Sequence, residues 1–583
     1  MDKRFFLALL LTMGVIVITP RLFPGPARQA VSSAVPPTTD SADIGTTPAT
    51  ATAGTASTAV SGAPATGAPT IGAAPTEPPV APAAEVRTLR LTSMTEDAEG
   101  VAIPLATYDF STRGAALVGA DLPRYKRLGG GTGLVRLGDG GQPLVRYRLI
   151  AGGDTIRLDA MDFAVVEDTV GGRARLTFTV AVGSGIARIA YTITPNDYLA
   201  AVDVQVTGVS APAFLLTDLP QGFETQERDS VDDRRHLAYA MRTPAGGADR
   251  VDFRKPDPGE RLIRQGPFTW TVAKSKYFLV GLLARDSVAS PLAELQVTGA
   301  VRVNKVAVRA QATAISPIGP EGVAFELYAG PQEWKRLVAL GREFEHVNPY
   351  GGWISGVVQP FATIVMRILL WMKGTTALGY GWILVIFGVA IRVLMWPLNS
   401  KMMRSQMTMQ RIAPLVQAAQ NKHKSDPEKQ RAAVMQVYAD AGISPFAPLA
   451  GCLPMLIPMP VLLALFFVFQ NTIEFRGVPF LWFPDISVAD PYYVAPFITG
   501  ASMFLLSWLG MRNSPPNPQA KMMAYMMPIM MTVFGINFAA GLNLYWFVQN
   551  FAALPQQWLI SNERGRAQAV TTVVADGGER KRR

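Results

Sequence analysis

One arginine inside an apolar run constrains this chain more than any other feature. Gly379–Leu398, GYGWILVIFGVAIRVLMWPL, is long enough for a short membrane span and holds Arg392 within it. An arginine at a helix centre costs about 2.5–3.5 kcal/mol on insertion scales, so such a cation marks a functional position unless its charge escapes to the interface. Arg392 stands about 9 Å of helix rise before the polar boundary at Asn399, within snorkelling reach. Direction argues against that escape. If the basic segment after Leu398 is cytoplasmic, the Cα–Cβ bond tilts toward the helix N-terminus and aims Arg392 at the middle of the bilayer.

The bulk properties fit a membrane protein with a separate polar part. The chain has 583 residues, 49% of them hydrophobic, and a net charge of +10; its mean hydropathy is +0.20. In the C-terminal half the lysines and arginines cluster between apolar runs, a topological pattern rather than a nucleic-acid groove, so no DNA partner is expected. Cys452 is the single cysteine, which excludes an intrachain disulfide. His236, His346 and His423 are far apart, and HExxH, CxxC and GxxxxGK[ST] are all missing from the sequence. The expectation is therefore no metal, no cofactor and no enzymatic reaction.

Residues 1–23 carry Lys3 and Arg4 before the apolar run Phe5–Thr19, with no small-x-small cleavage site directly after it. They read as an uncleaved anchor with its N-terminus inside. Residues 24–85 are rich in Ala, Thr, Pro, Gly and Ser, a composition that cannot offset chain entropy, and read as a disordered tether. Residues 86–340 alternate as strands do, at Leu144–Ile150, Arg173–Val182, Ile186–Thr194, Ala201–Thr207, Ala293–Thr298 and Val301–Arg309, with turn signals between them. A large antiparallel β-sandwich is predicted.

Glu333–His346 reads as a connecting helix. Within residues 341–378, Trp353–Lys373 contains Pro360, Arg367 and Lys373, and parity of crossings lays it on the outer surface as an interfacial helix. The predicted spans are 379–398, 449–469, 492–509, 522–538 and 542–560. The loop at 398–447 holds seven Lys/Arg against three acids and belongs inside, as does the tail 561–583 with its six basic residues. With the anchor this makes six crossings, both termini cytoplasmic and the β domain outside. Inside, residues 401–441 form a helical hairpin broken at Lys424–Glu428, with Asp426 as cap and Gly442 as stop. Lys401, Arg404, Arg411, Lys422, Lys424 and the terminal Arg580, Lys581, Arg582 and Arg583 are candidates for docking a ribosome or anionic lipid headgroups.

At Phe446–Phe469 the run FAPLAGCLPMLIPMPVLLALFFVF, together with the Arg392 helix, DPYY at Asp490–Tyr493 and NLYWFVQN at Asn543–Asn550, resembles the YidC/Oxa/Alb membrane protein insertases. The resemblance covers about residues 350–560 in matching order. It implies a multi-domain inner-membrane protein: a five-helix all-α core behind an N-terminal anchor and a periplasmic β-supersandwich. It also implies nascent membrane proteins as clients, with the ribosome and the Sec translocon (SecYEG and SecDF) as partners. The family's groove arginine corresponds to Arg392, and its aromatic of the last span to Trp546. Its hydrophobic contact positions correspond to Met459, Leu462 and Phe534. Gly388 stands where the family has a polar residue, four positions before the arginine.

The residues themselves suggest how such a site would work. A hydrated half-groove around Arg392 shortens the dry path that a polar segment must cross. Asn543, Gln549 and Asn550 offer neutral polarity, with helix–helix hydrogen bonding as the alternative. Met522, Met526 and Met530, beside Met523, Met527 and Met531, form two i, i+4 stripes suited either to varied clients or to packing between spans. Two other classes remain open at this point: a small-solute secondary transporter, which predicts inverted repeats, and an envelope-assembly scaffold acting through the β domain.

Overall fold

The structure is a computed structural model that describes residues 86–442, 459–512 and 518–580, apart from positions 98, 139–140, 287–288, 300–301, 304–305, 308, 349, 352–353 and 425. The predicted anchor and tether, Cys452 and the first ten residues of the predicted span 449–469 lie outside the described residues.

The N-terminal part is β. Thr88–Glu96, Ala102–Ser111, Ala116–Lys126 and Leu134–Leu137 make a four-stranded sheet, beside sheets of nine and six strands. The nine-stranded sheet is antiparallel throughout and its centre is Phe278–Ala284, Val323–Pro331 and Leu199–Val206. In the six-stranded sheet, Gln311–Pro317 and Ala213–Leu219 are central. Alternating residues from both large sheets meet in one core. Tyr191 of the nine-stranded sheet donates to the hydroxyl of Tyr147 in the six-stranded sheet at 2.9 Å, and its ring lies 4.6 Å from that of Phe110. Gly171 and Gly172, with φ of +59° and +78°, form the two-residue turn that returns Ala164–Val170 into Arg173–Val182.

Two local expectations need correction. Val301–Arg309 is not one strand: Arg302–Val303 pairs with Val306–Ala307 as a minimal hairpin. Glu333–His346 is not one helix either. An α-helical turn at Trp334–Ala339 gives way to a 3-10 turn at Phe344–Val347, because Gly341, Arg342 and Glu343 all take positive φ.

Among the described residues seven longer helices follow: α1 (Ser355–Thr375), α2 (Tyr380–Lys422), α3 (Pro427–Asp440), α4 (Met459–Asn471), α5 (Val494–Met511), α6 (Pro518–Gly535) and α7 (Ala540–Arg580). Length and apolarity suffice for crossing a membrane in α1, in the Tyr380–Lys401 part of α2 and in α5. The predicted boundary near Leu398 disappears, since α2 runs unbroken for 43 residues, about 65 Å, against a hydrocarbon core of about 30 Å. The first arm of the hairpin is thus a direct extension of the span. Likewise α7 continues through the predicted tail to Arg580. The hairpin break is as expected from its residues: the Asp426 carboxylate accepts from the amides of Glu428 and Lys429 at 3.1 and 3.2 Å, and Gly442 takes φ +64° after α3.

In the bundle, α7 is the common neighbour: α2 and α5 both pack along it, α6 packs on α5, and α4 packs on α1. Small residues permit these approaches. A Cβ on Gly388 of α2 would stand 2.9 Å from Val548, and one on Gly500 of α5 would stand 1.9 Å from the Thr532 hydroxyl of α6. In α1 the residues Val358, Ala362, Val365, Met366, Leu369 and Leu370 are buried on one face, while Val357, Phe361, Ile364 and Trp371 are exposed on the other.

The β domain is held to the helical part by the segment between α4 and α5. Arg476 reaches Glu227 at 2.9 Å to both carboxylate oxygens, with side chains only 4% and 8% exposed. Its guanidinium also lies 5.4 Å from the Phe278 ring centre. The Glu474 carboxylate accepts from the Trp334 amide at 2.9 Å, and burial pushes its pKa from 4.5 up to about 7. Burial likewise raises Asp233, whose carboxylate accepts from the Lys276 amide, to about 7.

Replacing Arg476 with alanine leaves Glu227 buried without its cation, and about 3–5 kcal/mol of docking stability is expected to go. Faster hydrogen exchange across residues 473–490 and 223–236 in the full chain checks this; unchanged protection refutes it. The raised acids set the pH response. A carboxyl whose folded pKa exceeds its unfolded value stabilises fully below the unfolded value and loses that contribution as pH rises through the folded one. Between about pH 4.5 and 7 the junction therefore loosens as pH increases, read as exchange corrected for intrinsic rates. Glu474→Gln should flatten the curve.

Candidate functional site

Arg392 sits twelve residues into α2, where the surrounding sequence is apolar. Its side chain is half-buried and crosses to α7, where Nη2 donates to the Oε1 of Gln556 at 2.9 Å. The amide is not free to turn away: its Nε2 donates to the Trp396 carbonyl at 3.0 Å and to the Ser400 hydroxyl at 2.8 Å. Gln556 itself is 1% exposed. Arg392 therefore leans on a neutral group locked from behind by its own helix. The guanidinium Nε is buried with no acceptor, and no carboxylate pairs with Arg392 among the described residues. A guanidinium offers five donors, so the one bond to Gln556 leaves its charge and most of its donor capacity uncompensated among the described residues.

One turn earlier, Gln549 donates to the Gly388 carbonyl at 2.8 Å and to the Tyr545 hydroxyl at 3.1 Å, fastening α7 to α2 just above the arginine. Gly388 has a steric reason. It lies where α2 and α7 come closest, against Val548 and the Tyr545 ring, so a side chain there would push the helices apart.

The other two amides are engaged elsewhere. Asn543 is buried, its side-chain amide donates to the Gly535 carbonyl at 2.9 Å, and its backbone carbonyl accepts from the Thr499 hydroxyl at 3.1 Å. Asn550 is buried and donates to the Ser502 hydroxyl at 3.1 Å. Both bind helices α5, α6 and α7 to one another, on the far side of α7 from Arg392. Of the sequence candidates, Gln549 alone stands near the cation. Gln556, the arginine's actual partner, was not among them; its position seven residues after Gln549, on the same face of α7, is the signal that would have found it.

The hydrophobic candidates divide as follows. Trp546 is half-buried and stacks on Phe538 at 6.3 Å, and Phe538 in turn meets Phe466 of α4 at 5.9 Å. Met459 and Leu462 are half-buried on α4, and Met530 and Phe534 are half-buried on α6. Met526 is 44% exposed, in line with exposed Met522, Ile529 and Val533 along one face of α6. Beside that stripe α6 meets α5, where the rings of Phe504 and Tyr525 lie 5.6 Å apart.

Among the basic candidates Lys401, Arg404, Lys422 and Lys424 are exposed, and Arg404 pairs with Glu563 of α7 at 3.1 Å. At the surface such a pair is screened by water and salt and adds little. The side chains of Arg411 and Arg580, and residues 581–583 altogether, lie outside the described residues. Among the described residues no group of three or more His, Cys, Asp and Glu is placed to hold a metal ion.

Comparison with known proteins agrees along most of the chain. Residues 101–364 match the model of the YidC periplasmic domain, and residues 371–567 match that of the 60Kd inner membrane protein. Membrane protein insertase YidC of Anaeromyxobacter dehalogenans is 31% identical over 406 residues, covering 67% of this chain and 70% of that protein. The proteins of the same name in Burkholderia cenocepacia and Geobacter sp. strain M21 are each 29% identical, over 402 and 475 residues. They cover 67% and 78% of this chain and 69% and 84% of their own lengths. A solved structure of an active YidC insertase, with its first transmembrane domain resolved, aligns over 80% of this chain and 94% of its own at 18% identity, with a TM-score of only 0.32. The sequence relationship carries the assignment: this chain belongs to the YidC family of membrane protein insertases.

Proposed function

We propose that the chain inserts nascent membrane proteins into the inner membrane, and that it does so by offering their polar segments a cationic notch between α2 and α7. The observation that carries the notch is the pairing of Arg392 with an amide rather than a carboxylate. A buried ion pair would cancel the positive potential; a neutral acceptor positions the guanidinium and leaves its field intact. Moving a polar tail through hydrocarbon is slow because its hydration must be stripped. Acidic or carbonyl-rich stretches of a client meet compensating charge part-way, which lowers that barrier without nucleotide, metal or covalent chemistry.

The topology that fits is six crossings, with α1 lying along the outer surface. Its exposed face mixes Val357, Phe361 and Ile364 with Arg367, a combination suited to the headgroup boundary more than to full immersion. On this reading Arg392 opens toward the cytoplasm, and the exposed Met522, Met526, Ile529 and Val533 stripe of α6 is an apolar ramp into lipid. Flexible thioethers accept many client sequences there, and burial of the client's apolar side chains supplies the free energy. Asn543 and Asn550 serve helix packing, whereas Gln549 and Gln556 frame the notch. The exposed Lys401, Arg404, Lys422 and Lys424 along α2 and the turn after it are the docking surface for a ribosome, and the Sec translocon is the partner for larger clients.

Arg392→Ala should slow insertion of single-span clients with acidic translocated tails by about tenfold, the lower end of what a focused field contributes to capture. Clients with uncharged tails should be affected less, and thermal stability should hold. The measurement is protease protection of client tails in proteoliposomes; equal rates for both client classes would reject the notch.

A further inference from the structure

A groove on the opposite flank of the bundle has no part in this mechanism. It is about 370 Å³ in volume and is lined by Leu505 and Leu509 of α5 and Phe551, Leu554, Pro555 and Trp558 of α7. Its lining is almost wholly apolar, yet Leu505, Phe551 and Trp558 are 44%, 62% and 51% exposed. Beyond Leu509 the two helices approach closely: a Cβ on Gly510 would stand 2.5 Å from Nε2 of Gln557. One turn further stands Arg512, exposed, its guanidinium carbon 6.0 Å from the ring centre of Trp508. Leu505, Trp508, Leu509 and Arg512 follow i, i+3, i+4, i+7 spacing and share one face of α5.

We propose that this groove binds an anionic glycerophospholipid, with an acyl chain along the leucines and the phosphate on Arg512. The inference rests on α5 and α7 spanning the membrane. Charge chooses the occupant. A client helix or a second copy of this chain would bring its own lysine- and arginine-rich loop to the same side of the membrane and set it against Arg512. A phospholipid brings a phosphate, which the guanidinium takes by charge-assisted hydrogen bonds. Trp558 lines the α7 wall of the groove and Trp508 stands beside Leu509 on α5 next to Arg512, both amphipathic rings suited to the headgroup boundary. The volume is within the range of sites that enclose a small ligand.

Native mass spectrometry of the full chain, titrated with phosphatidylglycerol and with phosphatidylcholine of identical chains, tests the proposal. The first phosphatidylglycerol should bind several-fold more tightly than phosphatidylcholine. Arg512→Gln should weaken phosphatidylglycerol about fivefold, the worth of one basic contact to an anionic headgroup, and leave phosphatidylcholine unchanged. Arg512→Lys should retain most of the preference, and Leu554→Trp, which fills the groove, should weaken both lipids. Equal titrations for wild type and Arg512→Gln overturn the site, as does a dimer abolished by Trp558→Ala. Insertion rates are a separate readout: Arg512→Gln should bind lipid poorly while inserting clients normally, so failure here and failure of the Arg392 notch are distinguishable.

Discussion

A guanidinium set in an apolar helix needs a polar partner, and the hydrogen bond from Arg392 to Gln556 supplies one that carries no charge. Everything needed to set that bond is local to two helices. Gly388 lets α7 approach α2, Gln549 ties them one turn above, and the Trp396 carbonyl and Ser400 hydroxyl hold the Gln556 amide in one orientation. An aspartate or glutamate in place of Gln556 would make a stronger contact and a weaker field. Long side chains that hydrogen-bond only once tend to wander; here the amide is gripped twice from behind, so the guanidinium has a fixed counterpart.

The same economy holds across the bundle. Asn543 and Asn550 spend their hydrogen bonds on neighbouring helices, where a lost partner in a low-dielectric interior is costly. Polar residues on one helix thus have two trades, and position around the axis separates them. On α7, Gln549 and Gln556 face α2, whereas Asn543 and Asn550 face α5 and α6.

Much of this was legible in the sequence, for identifiable reasons. Arg392 was conspicuous because a charge in an apolar run is rare and expensive. The long β runs were legible because period-two alternation survives burial on one face, as at Arg173–Val182. The hairpin break at Asp426-Pro427 was legible because its cap is encoded within four residues. What escaped was whatever depends on a partner distant in the chain. Gln556 became meaningful only once α2 lay beside α7, 164 residues away. The Arg476–Glu227 pair joins segments 249 residues apart and leaves no local pattern. Element ends escaped for another reason: a polar boundary ends an apolar stretch, but it does not end a helix. Hence Asn399 stopped the predicted span while α2 went on to Lys422.

That continuity makes α2 a shaft. From Arg392 to Lys422 it advances about 45 Å as one continuous helix, interrupted in its hydrogen bonding only by Pro397 and Pro414, and α3 folds back against its far end. The helix does not end between these points, so a body that seizes the α3 hairpin and twists or shifts it moves the arginine as well, with Pro397 and Pro414 as the places where α2 bends most readily. Whatever rests on the far end of this lever therefore has a mechanical grip on the depth and heading of a single charge.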